Sequence, residues 1–589
     1  MFDISSYLRS ARGRVVWLGV GILTIFSVFS LRLFYIQIIR YDYYTEAARA
    51  SQVTKLTIFP KRGSILARDG TSGTAPLVLN ETVYTVFADP QEVKDVSKVK
   101  DVLDRVAGGE VLRDSLQYLN DTSRRYLVLA HQVTRTQAEL IQKENLDGIG
   151  LQKGTRRVYP EGTMASQLLG YVNNDGIGQY GLEGALNDRL TGKNGLLQSI
   201  TDVRKIPLTI GDSAIDVPAV NGDDVVLSVD RNIQFELEQS LKEHADKVHP
   251  SDASAIIMDP NTGQIIAMAN YPTYDPSQYS KVTDYRLFQN YVTDNAYEPG
   301  SIIKTLTVAA GLDAKAITPT STSPNPTGCT TVDGSVICNV TRNGVTNPTT
   351  QQTLTYSFNT GAVGVVRSLG GGTINKTARD KLYDYFTNHF QLGKLTGVEQ
   401  AGEAAGVVIS PEEQQGNNVR YADMAFGQGM QLTMVQVAAA FSATINGGIY
   451  YRPTLMYGVQ GSDGTVKTQA PTVVQQNVIS ADYSAQMRDL IWHTRNDNIV
   501  NRSVDPVGYH IGGKTGTAQT IDPKTGQYSS DLTIGSYLGF VGGTTPQYVI
   551  MIRMDYAEGG SFGGSIETNT MFGQMARWLI TYKGIKTNE

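Results

Sequence analysis

Cysteine is scarce in this 589-residue chain: two residues cannot build a disulfide-stapled scaffold or a cysteine-ligated metal cluster. The six histidines contain no HExxH pairing, so a zinc hydrolase is not indicated and no metal or cofactor is expected. An excess of charge of one sign is also missing. Lys and Arg number 51 against 56 Asp and Glu, a net −5, which gives no reason to expect a nucleic-acid partner. Charged side chains make up 18% of the chain and apolar ones 41%, the balance of a globular protein and not of a disordered one. A mean hydropathy of −0.20 excludes a polytopic membrane protein but leaves room for one span.

That span is Val15 to Leu31, which carries no charge. As a helix, residues 15–34 would reach about 30 Å and cross a bilayer, with Arg32 snorkelling to the outer interface. Arg9, Arg12 and Arg14 precede it. The positive-inside rule therefore places residues 1–14 as a cytoplasmic tail and the bulk of the chain outside a cell membrane crossed once. A cleaved signal peptide would have a shorter apolar core with a small-residue site close behind, whereas Ala48-Arg49-Ala50 lies far along the chain.

Residues 35–221 mix short strand-like runs with charged helical pieces. Arg62 to Gly70 reads as a strand ending in an Asp-Gly turn, and Val96 to Val106 and Arg135 to Asn145 carry apolar residues three and four apart. Nothing here proposes chemistry; the section reads as a spacer that holds something away from the membrane.

A more regular domain occupies residues 222–589. Val225 to Val229 reads as a strand, and Asp230 caps a helix with Ile233, Leu237 and Leu241 on one face. Ser254–Asp259 and Gln264–Asn270 flank the turn Pro260-Asn261-Thr262-Gly263 and predict a hairpin; Thr533–Val541 and Tyr548–Met554 predict a second. A closing helix carries Phe572, Met575, Trp578 and Leu579. Strands at both ends with helical patterns between them predict an antiparallel sheet flanked by helices, an α+β arrangement. A Thr/Asn/Pro/Gly-rich loop spans residues 318–350. Within it Asp333-Gly334 centres a hairpin placing Cys329 opposite Cys338, and in an oxidising exterior a disulfide is expected there.

Three short motifs could carry chemistry: Ser301-Ile302-Ile303-Lys304, Ser357-Phe358-Asn359 and Lys514-Thr515-Gly516. Each has a decoy, at Ser97-Lys98-Val99-Lys100, Ser323-Pro324-Asn325 and Lys524-Thr525-Gly526. Setting separates them. Ser301 follows Glu298-Pro299-Gly300 and opens an apolar run, so it sits at a helix N-terminus where the macrodipole favours negative charge on its oxygen. Lys304, three residues on, lies on the same face. Ser97 falls in a highly charged helix, Ser323 in the loop, and Lys524 in an ordinary turn. Lys514 is flanked by Gly512-Gly513 and Thr517-Ala518, small residues that let another backbone approach a strand.

In this setting the trio resembles the penicillin-recognising serine enzymes, and its surroundings are similar to class B penicillin-binding proteins, the monofunctional peptidoglycan D,D-transpeptidases. Arg32 to Gln37 resembles the family's exit from the membrane. Arg62-Gly63 to Asp69-Gly70, Arg157-Val158-Tyr159-Pro160 and Gly181-Leu182-Glu183-Gly184 resemble its non-catalytic, dimerisation-type pedestal, an elongated mixed α/β domain. Tyr297 to Lys304, Ala425 to Gly429 and Gly512 to Ala518 resemble its transpeptidase domain. Ala67 departs from the pattern, which usually has aspartate there, and puts a pedestal contact in doubt. Tyr171 to Gly176 leading into Gly181 looks more like the division-type branch than the elongation type.

The resemblance implies catalytic roles for Ser301, Lys304 and Ser357, and substrate-binding roles for Asn359, Lys514, Thr515, Gly516 and Thr517. Ser301 would be acylated by a stem peptide ending in D-alanyl-D-alanine, and by β-lactams. Lys304 would act as a neutral base, with burial and a positive Lys514 keeping it so. A SEDS-family glycan polymerase and other division proteins are the implied partners. An elongation-type transpeptidase, a D,D-carboxypeptidase or β-lactamase-like hydrolase using Glu412 or Glu413 to activate water, and a non-catalytic scaffold remain as alternatives.

Overall fold

The computed structural model describes residues 11–70, 73–200, 215–324, 327–340, 344–497, 505–521, 528–543, 545–556 and 562–587. The chain divides into two compact units, Met1–Lys61 with Thr191–Gly222, and Arg62–Leu190 with Asp223–Glu589. In the first, a helix over Ala11–Phe34 passes through a π-helical turn, Tyr35–Ile39, into a second helix, Tyr41–Gln52. Leu18, Phe26 and Leu31 are 68%, 72% and 70% exposed, and Gly13–Ile39 is long and apolar enough to cross a bilayer. Strands Val53–Ile58, Gly195–Ile200 and Ile215–Val217 form an antiparallel sheet with Gly195–Ile200 in the middle.

The second unit holds a seven-stranded sheet and a five-stranded one. In the larger sheet, Ile65–Asp69 and Gly73–Ala88 pair as a hairpin, and Leu127–Thr134 and Ile149–Val158 both pair with the long second strand. Helices form where the spacing predicts them: Val96–Val106 is capped by Asp95, and Arg135–Lys143 by a Thr134/Gln137 capping box. The strand Asp224–Asp230 joins this same sheet, parallel to Ile65–Asp69, with Val225 opposite Ile65. Chain on both sides of residue 222 therefore contributes to one sheet, a pairing that the local pattern did not indicate.

The three pedestal motifs converge on one buried carboxylate. Glu183 is fully buried; its Oε2 lies 2.5 Å from Arg62 Nη2 and its Oε1 2.5 Å from Arg157 Nη2. Arg157 also donates to the carbonyl of Gly63 at 2.8 Å and to Asn80 Oδ1 at 2.9 Å. Removing either arginine would leave a buried charge less compensated, so these motifs act as a structural clamp. Ala67 is buried within its strand, opposite Ala75.

The five-stranded sheet is wholly antiparallel, in the order Ile265–Tyr271, Asp252–Met258, Pro546–Asp555, Tyr528–Gly542, His510–Ile521. Both hairpins read from the sequence are present. Alternate residues enter two cores: Ala255 and Ile257 pack with Ile233, Leu237, Phe572, Met575 and Leu579, while Ile256 and Met258 pack with Leu306 and Val308. Asp230 accepts from the amides of Asn232 and Ile233 and starts helix Arg231–Val248, which covers the first face together with helix Gly563–Lys583. Trp578 packs only partly buried at the edge of that core. On the other face lie helix Lys304–Asp313 and the entirely buried helix Met434–Ile445. Asp333 and Gly334 both have positive φ, as a two-residue I′ turn requires, and the hairpin register joins Cys329 to Cys338 in a disulfide.

Candidate active site

Ser301 lies in a 3₁₀ turn, Gly300–Ile303, that runs directly into helix Lys304–Asp313. Gly300 has φ +62°, and a Cβ there would come within 2.9 Å of the Thr517 carbonyl oxygen. Gly516 is equally constrained, since a Cβ would meet Ser536 Oγ at 2.2 Å and Ile302 Cγ2 at 3.0 Å. These two glycines let the serine turn press against strand His510–Ile521, which is the edge strand of its sheet.

The three motifs meet around one amine. Lys304 is fully buried, and its Nζ lies 2.8 Å from Ser301 Oγ, 2.6 Å from the Ser357 carbonyl, 3.1 Å from Ser357 Oγ and 2.7 Å from Asn359 Oδ1. A carbonyl and an amide oxygen can only accept, so they take two N–H groups. The remaining valence faces the serine hydroxyls. Burial, reinforced by the positive charge of Lys514, pushes Lys304 well below the usual lysine range, which favours the neutral amine beside Ser301 Oγ. Asn359 is held at its other end, where Nδ2 donates to the Cys338 carbonyl at 3.1 Å.

Lys514 is also buried, and burial lowers its pKa to about 7. Its Nζ donates to the Thr515 carbonyl at 2.9 Å. Ser357 has φ +59°, the left-handed region that strains a residue bearing a Cβ, and so stores backbone strain beside Lys304. Ser565, which no motif singled out, bonds Thr517 Oγ1 at 2.6 Å and donates to the Gly516 carbonyl at 2.8 Å, bracing the strand from behind. Neither Ser565 nor the Cys338 carbonyl leaves a sequence signal: one sits in a glycine-rich stretch, and the other is backbone.

The decoys lie elsewhere. Ser97 and Lys98 are exposed on helix Val96–Val106, while Asn325 and Lys524-Thr525-Gly526 lie outside the described residues. Glu412 is exposed and pairs with Lys376 at 2.8 Å, and Glu413 accepts from the Ser410 amide at 2.9 Å. Both serve surface structure, which weakens the water-activating role considered for them.

Residues 253–576 match the family described as penicillin binding protein transpeptidase domain, and residues 57–227 match the penicillin-binding protein dimerisation domain. The chain is 30% identical over 587 residues to stage V sporulation protein D of Bacillus subtilis, covering 98% of this chain and 87% of that protein. It is 26% identical over 573 residues to peptidoglycan D,D-transpeptidase FtsI of Escherichia coli, covering 94% and 89%. The crystal structure of a peptidoglycan synthetase from Bifidobacterium adolescentis shares its fold, with a TM-score of 0.70 at 23% identity over 91% of this chain and 98% of that one.

Proposed function

The chain belongs to the penicillin-binding protein transpeptidase family, and from that premise we propose that Ser301 is its acylated nucleophile and that it crosslinks stem peptides in septal wall synthesis. It is a serine-type peptidoglycan D,D-transpeptidase, and among the described residues one N-terminal helix is apolar and long enough to fit membrane anchoring. The observation that carries the assignment of Ser301 is the buried Lys304 Nζ, 2.8 Å from Ser301 Oγ and held by two acceptor-only oxygens.

In this reading Lys304 takes the hydroxyl proton as Ser301 Oγ attacks the carbonyl between the last two D-alanines. The backbone N–H groups of Ser301 and Thr517 stabilise the resulting oxyanion, each worth a few kcal/mol. Ser357 relays the proton to the departing D-alanine amine, leaving an acyl-enzyme. An amine from a neighbouring strand then attacks the ester and surrenders a proton to Lys304, which passes it to the departing Ser301 Oγ and restores the serine hydroxyl. Protonated Lys514, with Thr515, binds the terminal carboxylate; Asn359, Gly516 and Thr517 line the peptide. β-Lactams acylate the same oxygen. Residues 1–14 face the cytoplasm, and the catalytic unit lies outside, where a SEDS-family polymerase would supply glycan.

Full-length protein in detergent, given a stem-peptide thioester and D-alanine, is expected to form the exchange product; hydrolysis alone would demote transpeptidation to a hydrolase reading. The similarity to a stage V sporulation protein favours a second biological setting, a sporulation stage. Depletion separates the two: filaments support septation, whereas normal division with failed spores supports the other.

The strain at Ser357 gives a further expectation. Ser357→Gly should relieve about 1 kcal/mol of left-handed strain, raising the melting temperature, while slowing acyl transfer through loss of the hydroxyl. A variant that transfers at the parental rate would remove Ser357 from the relay, and one that melts lower would overturn the strain argument.

A further inference from the structure

Arg553 sits on strand Pro546–Asp555, the middle strand of the catalytic sheet, yet its side chain reaches the segment that leads to Ser301. It is 2% exposed. Nε donates to Asp555 Oδ1 at 2.6 Å, and Nη2 pairs with Asp555 Oδ2, so one edge of the guanidinium is fixed within its own strand. Nη1 donates to Asn295 Oδ1 at 3.2 Å, and the guanidinium carbon lies 4.0 Å from the centroid of the Tyr297 ring. Tyr297 is 5% exposed, its buried hydroxyl has no hydrogen-bond partner among the described residues, and the face of its ring is its polar contact with this network.

The segment after Tyr297 is held on its remaining sides by backbone. Tyr297 and Leu432 exchange both amide bonds, at 3.0 and 2.9 Å; Gly429 N donates to Glu298 Oε1 at 2.8 Å; and Gly300 N donates to the Gly427 carbonyl at 3.0 Å. The Arg553 contacts supply support from the sheet itself. Asp252 and Asp294 also feel this cation, and each has a buried carboxyl oxygen with no hydrogen-bond partner among the described residues; burial raises the two groups to about 7 and about 6. The cation thus offsets carboxylate charge as well as seating the ring.

We infer that Arg553 is a positioning residue for the transpeptidation reaction: through the Tyr297 ring and Asn295 it fixes the height of the Tyr297–Gly300 segment, and hence of Ser301 Oγ, against Lys304. The inference rests on Ser301 being the acylated residue. A misplacement of about 1 Å at a reacting atom can cost a hundredfold in rate without altering substrate binding.

The test is acylation of the detergent-solubilised full chain by a fluorescent penicillin, with the pre-covalent dissociation constant separated from the first-order acylation constant. Tyr297→Leu is expected to lower the first-order constant about tenfold to a hundredfold while the dissociation constant stays within about twofold, and Tyr297→Phe, which keeps the ring, is expected to restore it. Arg553→Lys should lie between the parent and Arg553→Met. Should Arg553→Met fail to fold, the two tyrosine variants still decide. Parental acylation constants in Tyr297→Leu, or no rescue by Tyr297→Phe, would overturn the inference. Failure of the unsubstituted protein to be labelled at Ser301 would instead overturn the proposed function.

Discussion

Ser301→Ala is expected to abolish covalent labelling of the full-length protein by penicillin, with peptide mass spectrometry finding no adduct where the parent carries one at residue 301. The loss should be total and not partial. Without Oγ there is no atom to form the ester, and the other hydroxyl beside Lys304, on Ser357, follows a backbone held at φ +59° in the connection between helices Thr350–Thr355 and Asn359–Leu369. Removing a serine nucleophile from a comparable triad costs on the order of a millionfold in turnover. The fold should survive, because in this structure the Ser301 hydroxyl is bonded by Lys304 Nζ, an amine that keeps the Ser357 carbonyl and Asn359 Oδ1 as partners. Undiminished labelling of Ser301→Ala would sink the reading of this chain as an acyl-transfer catalyst through that residue.

Lys304→Met should move activity and stability in opposite directions. Loss of the general base is expected to slow acylation by about 10²–10⁴-fold. The stability effect follows from the depressed pKa. In the unfolded chain a lysine titrates near about 10.4, so below that pH unfolding takes up a proton that the buried neutral amine lacks. Stability of the parent therefore rises with pH from the folded pKa of Lys304 towards the unfolded value, and below that window the cost of burial is borne in full. Methionine removes this cost, so the gain in melting temperature should be greatest at low pH and shrink as pH approaches the unfolded value. The base must be neutral to act, so parental acylation should fall as pH drops through the Lys304 pKa. Lys514→Met removes the neighbouring positive charge that helps to lower it, and should move this acid limb to higher pH. A Lys304→Met protein that acylates at the parental rate would assign the proton transfer elsewhere, and one that melts lower at every pH would overturn the cost assigned to burying the amine.

Much of the framework was legible because it is local. The two hairpins of the catalytic sheet announce themselves by alternating apolar runs around a turn, and helix Arg231–Val248 by its Asp230 cap and the spacing of Ile233, Leu237 and Leu241. The true motifs could be told from their decoys because a buried apolar helix and a charged surface helix differ in composition: Lys304 is buried, whereas Ser97 and Lys98 are exposed. The parallel pairing of Asp224–Asp230 with Ile65–Asp69 was not legible, since register between segments so far apart in the chain leaves no periodic trace. The clamp around Glu183 was visible only as three unconnected motifs.

Taken alone, the amino-acid order indicated where several helices, the two hairpins and the apolar helix lie, though not their exact bounds, and which serine and lysines carry the motifs, because those features are written in neighbouring side chains. Folding decided what these groups are chemically. In the proposed mechanism Lys304 can serve as a base because segments from the residue 301, 357 and 514 regions close around it, burying its amine and setting a second cation nearby. Ser301 is presented at the right height because glycines at 300 and 516 allow two backbones to touch and Arg553 seats the ring of Tyr297. Desolvation and long-range contact depend on the whole three-dimensional surrounding, so no window of sequence contains them.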